Sequence, residues 1–122
     1  MKKYDLLALA AGVFLLLGTA RSQGTDTGKG VYEQLCRPCH AANGSGKTGT
    51  GAWMPIAASL KLERPEQMSL ISEKAKNLSE SDITKMIQSG GGKMMGLGGK
   101  VKKEEAEAVA RYVVRTLQGR TK

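Results

Sequence analysis

The pattern of apolar and polar positions predicts a mostly helical chain. From Gly28 to Cys39, apolar or small residues fall at i, i+3, i+4, i+7 and i+11, the spacing of one helix face, and Asp26 or Thr27 would cap that helix. Pro38 weakens its continuation, so the helix is expected to end within residues 36–40. Residues 102–118 carry a second apolar stripe and predict the last helix, which lacks a Ser, Thr, Asp or Asn cap. The fold class expected from these stripes is all-α.

Shorter helices are predicted between these two. Pro65 stands where one helix can begin, and another begins at Ser79, which forms a variant capping box with Asp82 and is stopped by Gly90. Residues 41–51 and 93–100 are rich in glycine and have no apolar periodicity, which predicts loops. The positions expected to face the core are Met68, Ile71, Ala75 and Leu78 in the first of these helices, and Ile83, Met86 and Ile87 in the second.

The first 22 residues have the pattern of an export signal. Lys2 and Lys3 precede an apolar stretch over residues 6–17, which is shorter than the roughly 20 residues needed to span a bilayer. We therefore expect a signal peptide over residues 1–22, cleaved near residues 20–22, and one small domain over residues 23–122. The alternative is an uncleaved leader that tethers the protein to a membrane.

Cys36, Arg37, Pro38, Cys39 and His40 form a CxxCH motif, the pattern of covalent haem attachment. Residues at i, i+3 and i+4 share a helix face, so both thiols and the imidazole can face one haem. A thiol-disulfide oxidoreductase pair and a local disulfide are the alternatives. A zinc site would lack a fourth ligand, because the chain has only 2 cysteines and 1 histidine. Export favours haem, since covalent haem is added outside the cytoplasm, where a reduced dithiol is less expected.

Composition limits the remaining classes of function. With 16 glycines and only one Trp, three Tyr and one Phe among 122 residues, the chain's own apolar core is thin, and a buried cofactor would help to fill it. The formal net charge of +8 suits either docking to acidic partners or a solvated basic surface. Nucleic-acid binding is not expected of an exported chain with so few aromatic residues.

Residues 27–117 resemble a class I cytochrome c, the small monohaem c-type cytochrome that bacteria export. In that family a glycine and an aromatic residue before the motif pack against the C-terminal helix. Here they are Gly28 and Tyr32, and their partners correspond to Val109 and Tyr112. The resemblance implies a small cytochrome c fold in which the N- and C-terminal helices cross, while shorter helices and loops wrap around one haem.

The resemblance also implies the ligands of the iron. The segment from Met94 resembles the family's methionine loop, which assigns Met94 as the sixth ligand and leaves Met95, at the family's proline position, as its competitor. Pro55 resembles the proline whose carbonyl accepts a hydrogen bond from the proximal histidine. The cofactor-binding residues expected are therefore Cys36, Cys39, His40, Met94 and Pro55, with His40 and Met94 on the metal and no catalytic residue.

The function implied by the resemblance is electron transfer by one haem c, attached through Cys36 and Cys39, without catalysis. The partners would be redox proteins with acidic docking surfaces, and the protein would be a periplasmic monomer. It would bind no nucleic acid and would touch a membrane only through a redox complex or an uncleaved leader. Two alternatives remain open: a thiol-disulfide oxidoreductase, and a haem protein whose labile sixth ligand allows it to bind small ligands.

Overall fold

The computed structural model of the protein describes residues 23–121. This part of the chain is mostly helical, with loops between the helices and one two-stranded hairpin, which confirms the all-α prediction. A first helical arm comprises α1 (Gln23–Val31), a π-helical turn (Tyr32–Cys36) and α2 (Arg37–His40). The later elements are α3 (Ile56–Ser59), a 3-10 turn (Pro65–Met68), α4 (Glu73–Lys76), α5 (Glu80–Ser89), β1 (Gly90–Gly91), β2 (Met94–Met95), α6 (Lys103–Arg111) and a second π-helical turn (Tyr112–Leu117).

The predicted leader, residues 1–22, lies outside the described residues. Within residues 23–121, none of the helices has both the length and the apolar character needed to cross a bilayer.

The first and last helices cross at Gly28, as predicted, with α1 packed against α6. A Cβ atom on Gly28 would overlap the Ala108 carbonyl group, so only glycine allows the two backbones to approach this closely. Beside the crossing, the rings of Tyr32 and Tyr112 pack with centroids 5.3 Å apart and planes tilted by 56°. The glycine and the tyrosine pair together set how the helical arm sits on the C-terminal helix.

The core lies between the helical arm, α5 and the C-terminal helix. Cys36 belongs to this core, so the first cysteine of the motif is anchored among buried residues. The core residues are Tyr32, Cys36, Ile87, Val101, Ala106, Val109, Tyr112 and Val113.

The prediction of one continuous helix that begins at Pro65 is wrong. The chain makes a 3-10 turn, becomes extended at Ser69 with ψ 123°, and starts the short helix α4 only after Ser72, whose hydroxyl caps it. The Leu70 amide donates to the Gly44 carbonyl at 2.6 Å, and the Met68 carbonyl is bonded to His40. Backbone groups that a continuous helix would use internally are thus bonded to distant parts of the chain.

The predicted capping box of α5 is present. Asp82 and Ser79 exchange hydrogen bonds of 3.0 Å each, and Gly90, with φ 77°, ends the helix. Met86, which was expected to face the core, is 39% exposed. At the start of α6, the missing N-cap is partly replaced by Glu105, whose carboxylate accepts the Lys102 amide at 3.1 Å.

Candidate functional site

The CxxCH motif lies at the end of the first helical arm. Cys36 closes the π-helical turn and is buried, while Cys39 and His40 lie on α2 and are partly buried. Neither cysteine forms a disulfide. Pro38 lies in the first turn of α2, where a missing amide hydrogen costs no helical hydrogen bond. Two free thiols and one imidazole are therefore presented by one short helical segment at the edge of the core.

The His40 ring is oriented by a backbone carbonyl. Its Nδ1 atom donates to the Met68 carbonyl oxygen at 2.7 Å, and because a carbonyl only accepts, Nδ1 carries the proton. Burial lowers the pKa of His40, and the hydrogen bond to Met68 opposes that shift without reversing it. The imidazole is thus neutral at pH 7, with the lone pair of Nε2 available to a metal.

This bond corrects the role assigned to Pro55. The partner of His40 is the carbonyl of Met68, not that of Pro55. The Pro55 carbonyl instead accepts the amides of Ala58 and Ser59, at 3.2 and 3.4 Å, because Pro55 is the N-cap residue of α3. Within the described residues, the ring of His40 is therefore oriented by Met68.

Ala41, directly after His40, adopts an uncommon backbone conformation. Its φ of 65° and ψ of 164° lie in a region that is almost exclusive to glycine. The buried Tyr32 hydroxyl donates to the Ala41 carbonyl at 2.6 Å, and the Ala41 amide donates to the Arg37 carbonyl at 2.9 Å. The tyrosine of the helix crossing therefore also holds the peptide that follows the histidine.

Both thiols lie in surroundings that disfavour the thiolate. Burial, followed by the neighbouring Cys39, raises the pKa of Cys36 to about 11. Burial also raises the pKa of Cys39. A thioether, which carries no charge and no proton, would meet no such penalty at either position.

The methionine loop places its two methionines differently. Strands β1 and β2 form a hairpin that pairs Gly91 with Met94, and neighbouring strand residues point to opposite sides. Met94 is partly buried, whereas Met95 is 73% exposed. Leu97, three residues after Met94, packs against the core cluster that contains Cys36. The loop therefore lies against the same core as the motif.

Backbone contacts attach this loop to the end of α5. The Leu97 amide donates to the Ile87 carbonyl at 2.7 Å, and the Gly98 amide donates to the Gln88 carbonyl at 3.1 Å. A Cβ atom on Gly96 would lie 2.7 Å from the Gln88 carbonyl oxygen, so glycine is needed at that point. These contacts give order to a segment that has no apolar periodicity of its own.

An apolar cleft of about 290 Å³ lies along α3, which packs against the motif-bearing α2. The Met54 amide donates to the Gly46 carbonyl, and the Gly46 amide donates to the His40 carbonyl, which connects this wall to the motif. Apolar side chains line this cleft and are suited to pack on an apolar cofactor. They belong to Trp53, Met54, Pro55, Ala57, Ala58, Leu62 and Pro65.

Two contributors to the site were missed in the sequence. Met68 acts through its backbone carbonyl, a group that every residue has, so no residue-type signal marks it. Ala41 adopts a glycine-like conformation without being glycine, which only the backbone angles reveal. The hydroxyl of Tyr32 had a weak signal, since a buried tyrosine usually finds a hydrogen-bond partner.

Most of the chain matches the model of a known protein family. Residues 23–113 match the model of the family described as cytochrome c oxidase, cbb3-type, subunit III. A search of curated proteins found no match.

Several solved structures share the fold. The KustC0563 c-type cytochrome has a TM-score of 0.52 at 21% identity, over 71% of this chain and 93% of that one. A tyrosine-to-phenylalanine mutant of Kustc0563 has a TM-score of 0.54 at 22% identity, over 75% and 98%. A chain of the Kuenenia stuttgartiensis reducing HAO-like protein complex Kustc0457/Kustc0458 has a TM-score of 0.52 at 19% identity, over 76% and 43%. The predicted small all-α cytochrome fold is confirmed.

Proposed function

This chain belongs to the family of c-type cytochromes whose model it matches over residues 23–113, and we propose that it is a monohaem electron carrier with His40 and Met94 as axial ligands. Membership of the family implies covalently bound haem and electron transfer. One observation carries the finer proposal: both free thiols and a neutral imidazole, its Nδ1 atom bonded to the Met68 carbonyl, lie on one short helical segment. The chain has a single CxxCH motif, which suits one haem.

The residues present fit a haem. Cys36 and Cys39 would hold it through two thioethers, and His40 would bind the iron through Nε2, the ring nitrogen that Met68 leaves free. When bound, haem supplies a one-electron couple between ferrous and ferric iron. The Met68 carbonyl holds the orientation of the imidazole and raises its basicity. The apolar residues along α3 would shield one side of the haem from water.

The alternative function, a thiol-disulfide oxidoreductase that uses Cys36 and Cys39, suits the site less well. A reactive thiol pair needs at least one thiol with a lowered pKa. Here burial raises the pKa of Cys36 to about 11 and also raises that of Cys39. Cys36 is moreover packed in the core against residues of the helix crossing, so a substrate disulfide would have poor access to it.

Met94 is the better candidate for the sixth ligand. It is partly buried on a loop whose Leu97 packs against the core cluster that includes Cys36, whereas Met95 is 73% exposed. The Met94 thioether would then be the second protein ligand that holds the iron, together with His40. If His40 and Met94 both held the iron, no position would stay open to a substrate, and the protein would act as a carrier and not as an enzyme; the ligand-binding alternative would require Met94 to dissociate.

We further propose that the protein is exported to the periplasm, loses its leader over residues 1–22, and acts there as a monomer. Its partners would be redox proteins with acidic docking surfaces, in keeping with the net charge of +8. One structural neighbour is a chain of a reducing HAO-like protein complex, which is consistent with docking to a redox complex. The exposed lysines near the methionine loop and the loop after the motif are Lys47, Lys93, Lys100, Lys102 and Lys103.

The purified protein tests the proposal directly. We expect a Soret band that stays with the chain after denaturation, and a single one-electron transition in a redox titration. The variant Cys39→Ser should lose part of the covalent attachment, whereas Arg37→Ala, at an exposed position of the same motif, should keep it. A preparation without a Soret band but with both thiols titratable would support the dithiol alternative instead.

Ionic strength tests the proposed docking. If acidic partners are steered by the basic surface, raising the salt concentration should slow electron transfer to such a partner. An unchanged rate would contradict the steering.

A further inference from the structure

The chain turns back on itself after its last helical turn. Gly119, with φ 66°, reverses the direction, and the Arg120 amide then donates to the Val114 carbonyl at 2.9 Å. The side chains of Gln118 and Arg120 are partly buried. Terminal residues usually stay loose unless specific bonds hold them, and here such bonds are present. We call residues 118–120 the C-terminal clasp.

The clasp bonds two carbonyls in the segment that replaced the predicted helix. Gln118 Nε2 donates to the Leu70 carbonyl at 2.6 Å, and Arg120 Nη2 donates to the Leu78 carbonyl at 2.7 Å. Arg120 Nε donates to Gln118 Oε1 at 2.7 Å. Because guanidinium only donates, this last bond fixes which end of the Gln118 amide faces Leu70.

Leu70 lies two residues after the carbonyl that orients His40. On the side away from the clasp, the Leu70 amide donates to the Gly44 carbonyl at 2.6 Å. A Cβ atom on Gly46 would lie 3.1 Å from the Met68 Cβ, so this loop is in close contact with Met68. Residues 68–70 are therefore held between the loop after the motif on one side and Gln118 on the other.

We propose that Gln118, oriented by Arg120, is a positioning residue for the iron-binding histidine, acting through Leu70 on the Met68 carbonyl. The inference rests on the proposed haem function. The hydrogen bond from Nδ1 raises the basicity of a metal-bound imidazole, and such bonds are one of the protein's means of setting a haem potential. Ferric iron gains more than ferrous iron from a basic ligand. Loosening residues 68–70 weakens the bond, destabilises the ferric state and raises the reduction potential.

The test is a potentiometric titration of the full-length, haem-loaded protein and its variants. Gln118→Leu removes both polar ends of the side chain. Gln118→Glu keeps the length and an acceptor for Arg120 but removes the N–H donor to Leu70. Gln118→Leu should change the ferric-to-ferrous equilibrium about threefold, which at 59 mV per tenfold is a rise of about 28 mV. Gln118→Glu adds a negative charge that by itself favours ferric iron, so its effect is measured by the His40 shift. The ¹⁵N shift of His40 Nδ1 should move in the direction of a weaker hydrogen bond.

Glu105→Ala is the matched control. It also removes a side-chain bond to a backbone amide, that of Lys102 at the start of the C-terminal helix, but within the described residues Glu105 forms no hydrogen bond or ion pair with residues 68–78. Its potential and its His40 shift should equal those of the unchanged protein. Gln118→Glu is informative even if Gln118→Leu fails to fold.

The possible outcomes distinguish a failure of the positioning role of Gln118 from a failure of the proposed haem function. An unchanged potential in haem-loaded Gln118→Leu, an unchanged His40 shift in Gln118→Glu, or a Glu105→Ala control that changes as much as the Gln118 variants, would overturn the positioning role and leave the proposed function intact. Absence of a Soret band from the unchanged protein would overturn the proposed function itself, and the positioning role with it.

Discussion

The helix crossing and the loop region over residues 41–78 are held together by different means. At the crossing, Gly28 and the ring pair Tyr32–Tyr112 pack against the C-terminal helix, and side-chain shape decides the geometry. In the loop region, backbone groups of Gly44, Met68 and Leu70 bond to partners far away in sequence. The crossing therefore carries stability, whereas the loop region carries the orientation of His40, and each can be perturbed separately.

The largest effect is expected at the crossing itself. Gly28→Ala adds a Cβ atom that overlaps the Ala108 carbonyl, and should lower the free energy of unfolding by about 3 kcal/mol. Gly30→Ala, in the same helix with no atom within 4 Å of the added Cβ, should instead raise it by about 0.5–1 kcal/mol. Denaturant unfolding of both variants measures the difference. Equal effects would show that the backbones do not meet at Gly28.

The second-largest loss of stability is expected where the helix crossing joins the loop region, at Tyr32. Tyr32→Phe removes the buried hydroxyl that donates to the Ala41 carbonyl, and should cost about 1–1.5 kcal/mol. Tyr112→Phe, on the other ring of the pair, removes a hydroxyl with no hydrogen bond among the described residues and should cost less than about 0.5 kcal/mol. Chemical denaturation distinguishes them, and a larger loss for Tyr112→Phe would contradict the assignment.

A substitution at Ala41 should stabilise the protein, in contrast to Gly28→Ala and Tyr32→Phe. Its backbone conformation costs an alanine of order 1–3 kcal/mol, and glycine relieves most of this at an entropic cost of about 0.5–1 kcal/mol. Ala41→Gly should therefore raise the melting temperature, by a net gain of about 1 kcal/mol. The neighbouring exposed Ala42 does not have a positive φ, and Ala42→Gly should lower the melting temperature slightly. If Ala42→Gly raised the melting temperature and Ala41→Gly lowered it, the backbone strain would not lie at Ala41.

The smallest effect is expected at the cap of α5, which is local and exposed. The backbone and hydroxyl of Ser79 bond the Asp82 carboxylate and hold its pKa below the ordinary value of 3.8. A pKa lowered by folding stabilises the protein above the unfolded value, and that stabilisation is lost as the pH falls through the lower folded value. Asp82→Asn should therefore flatten the loss of stability on acidification below about pH 4.

Unfolding followed as a function of pH measures this flattening. Glu104→Gln is the control, because it removes an exposed carboxylate from the first turn of α6 that makes no side-chain hydrogen bond within the described residues. A pH profile that Asp82→Asn leaves unchanged would show that the capping box contributes nothing to acid stability.

The helices on either side of the crossing were predictable because their signals are local, whereas the crossing at Gly28 was inferred from the resemblance to class I cytochrome c. The apolar stripe from Gly28 to Cys39 marks one helix face, and Ser79, Asp82 and Gly90 mark the start and end of α5 through short-range hydrogen bonds and backbone geometry. In these elements each residue interacts chiefly with neighbours three or four positions away.

The loop region was not predictable for the opposite reason. Met68 to Leu78 has helical spacing, yet the Met68 carbonyl and the Leu70 amide are bonded to His40 and Gly44, so the continuous helix does not form. Likewise, Pro55 was assigned the bond to His40 from a family pattern, but its carbonyl is used within α3. Partners separated by 28 or 48 positions leave no trace in a local pattern.

The proposed pair of axial ligands is tested most directly by the thioether-to-iron absorption band of the ferric protein. Met94→Ala should abolish this band and lower the reduction potential, because a thioether ligand favours the ferrous state. Met95→Ala, at the 73% exposed position one residue later, should leave both unchanged. Loss of the band in Met95→Ala but not in Met94→Ala, or its persistence in both, would contradict the account.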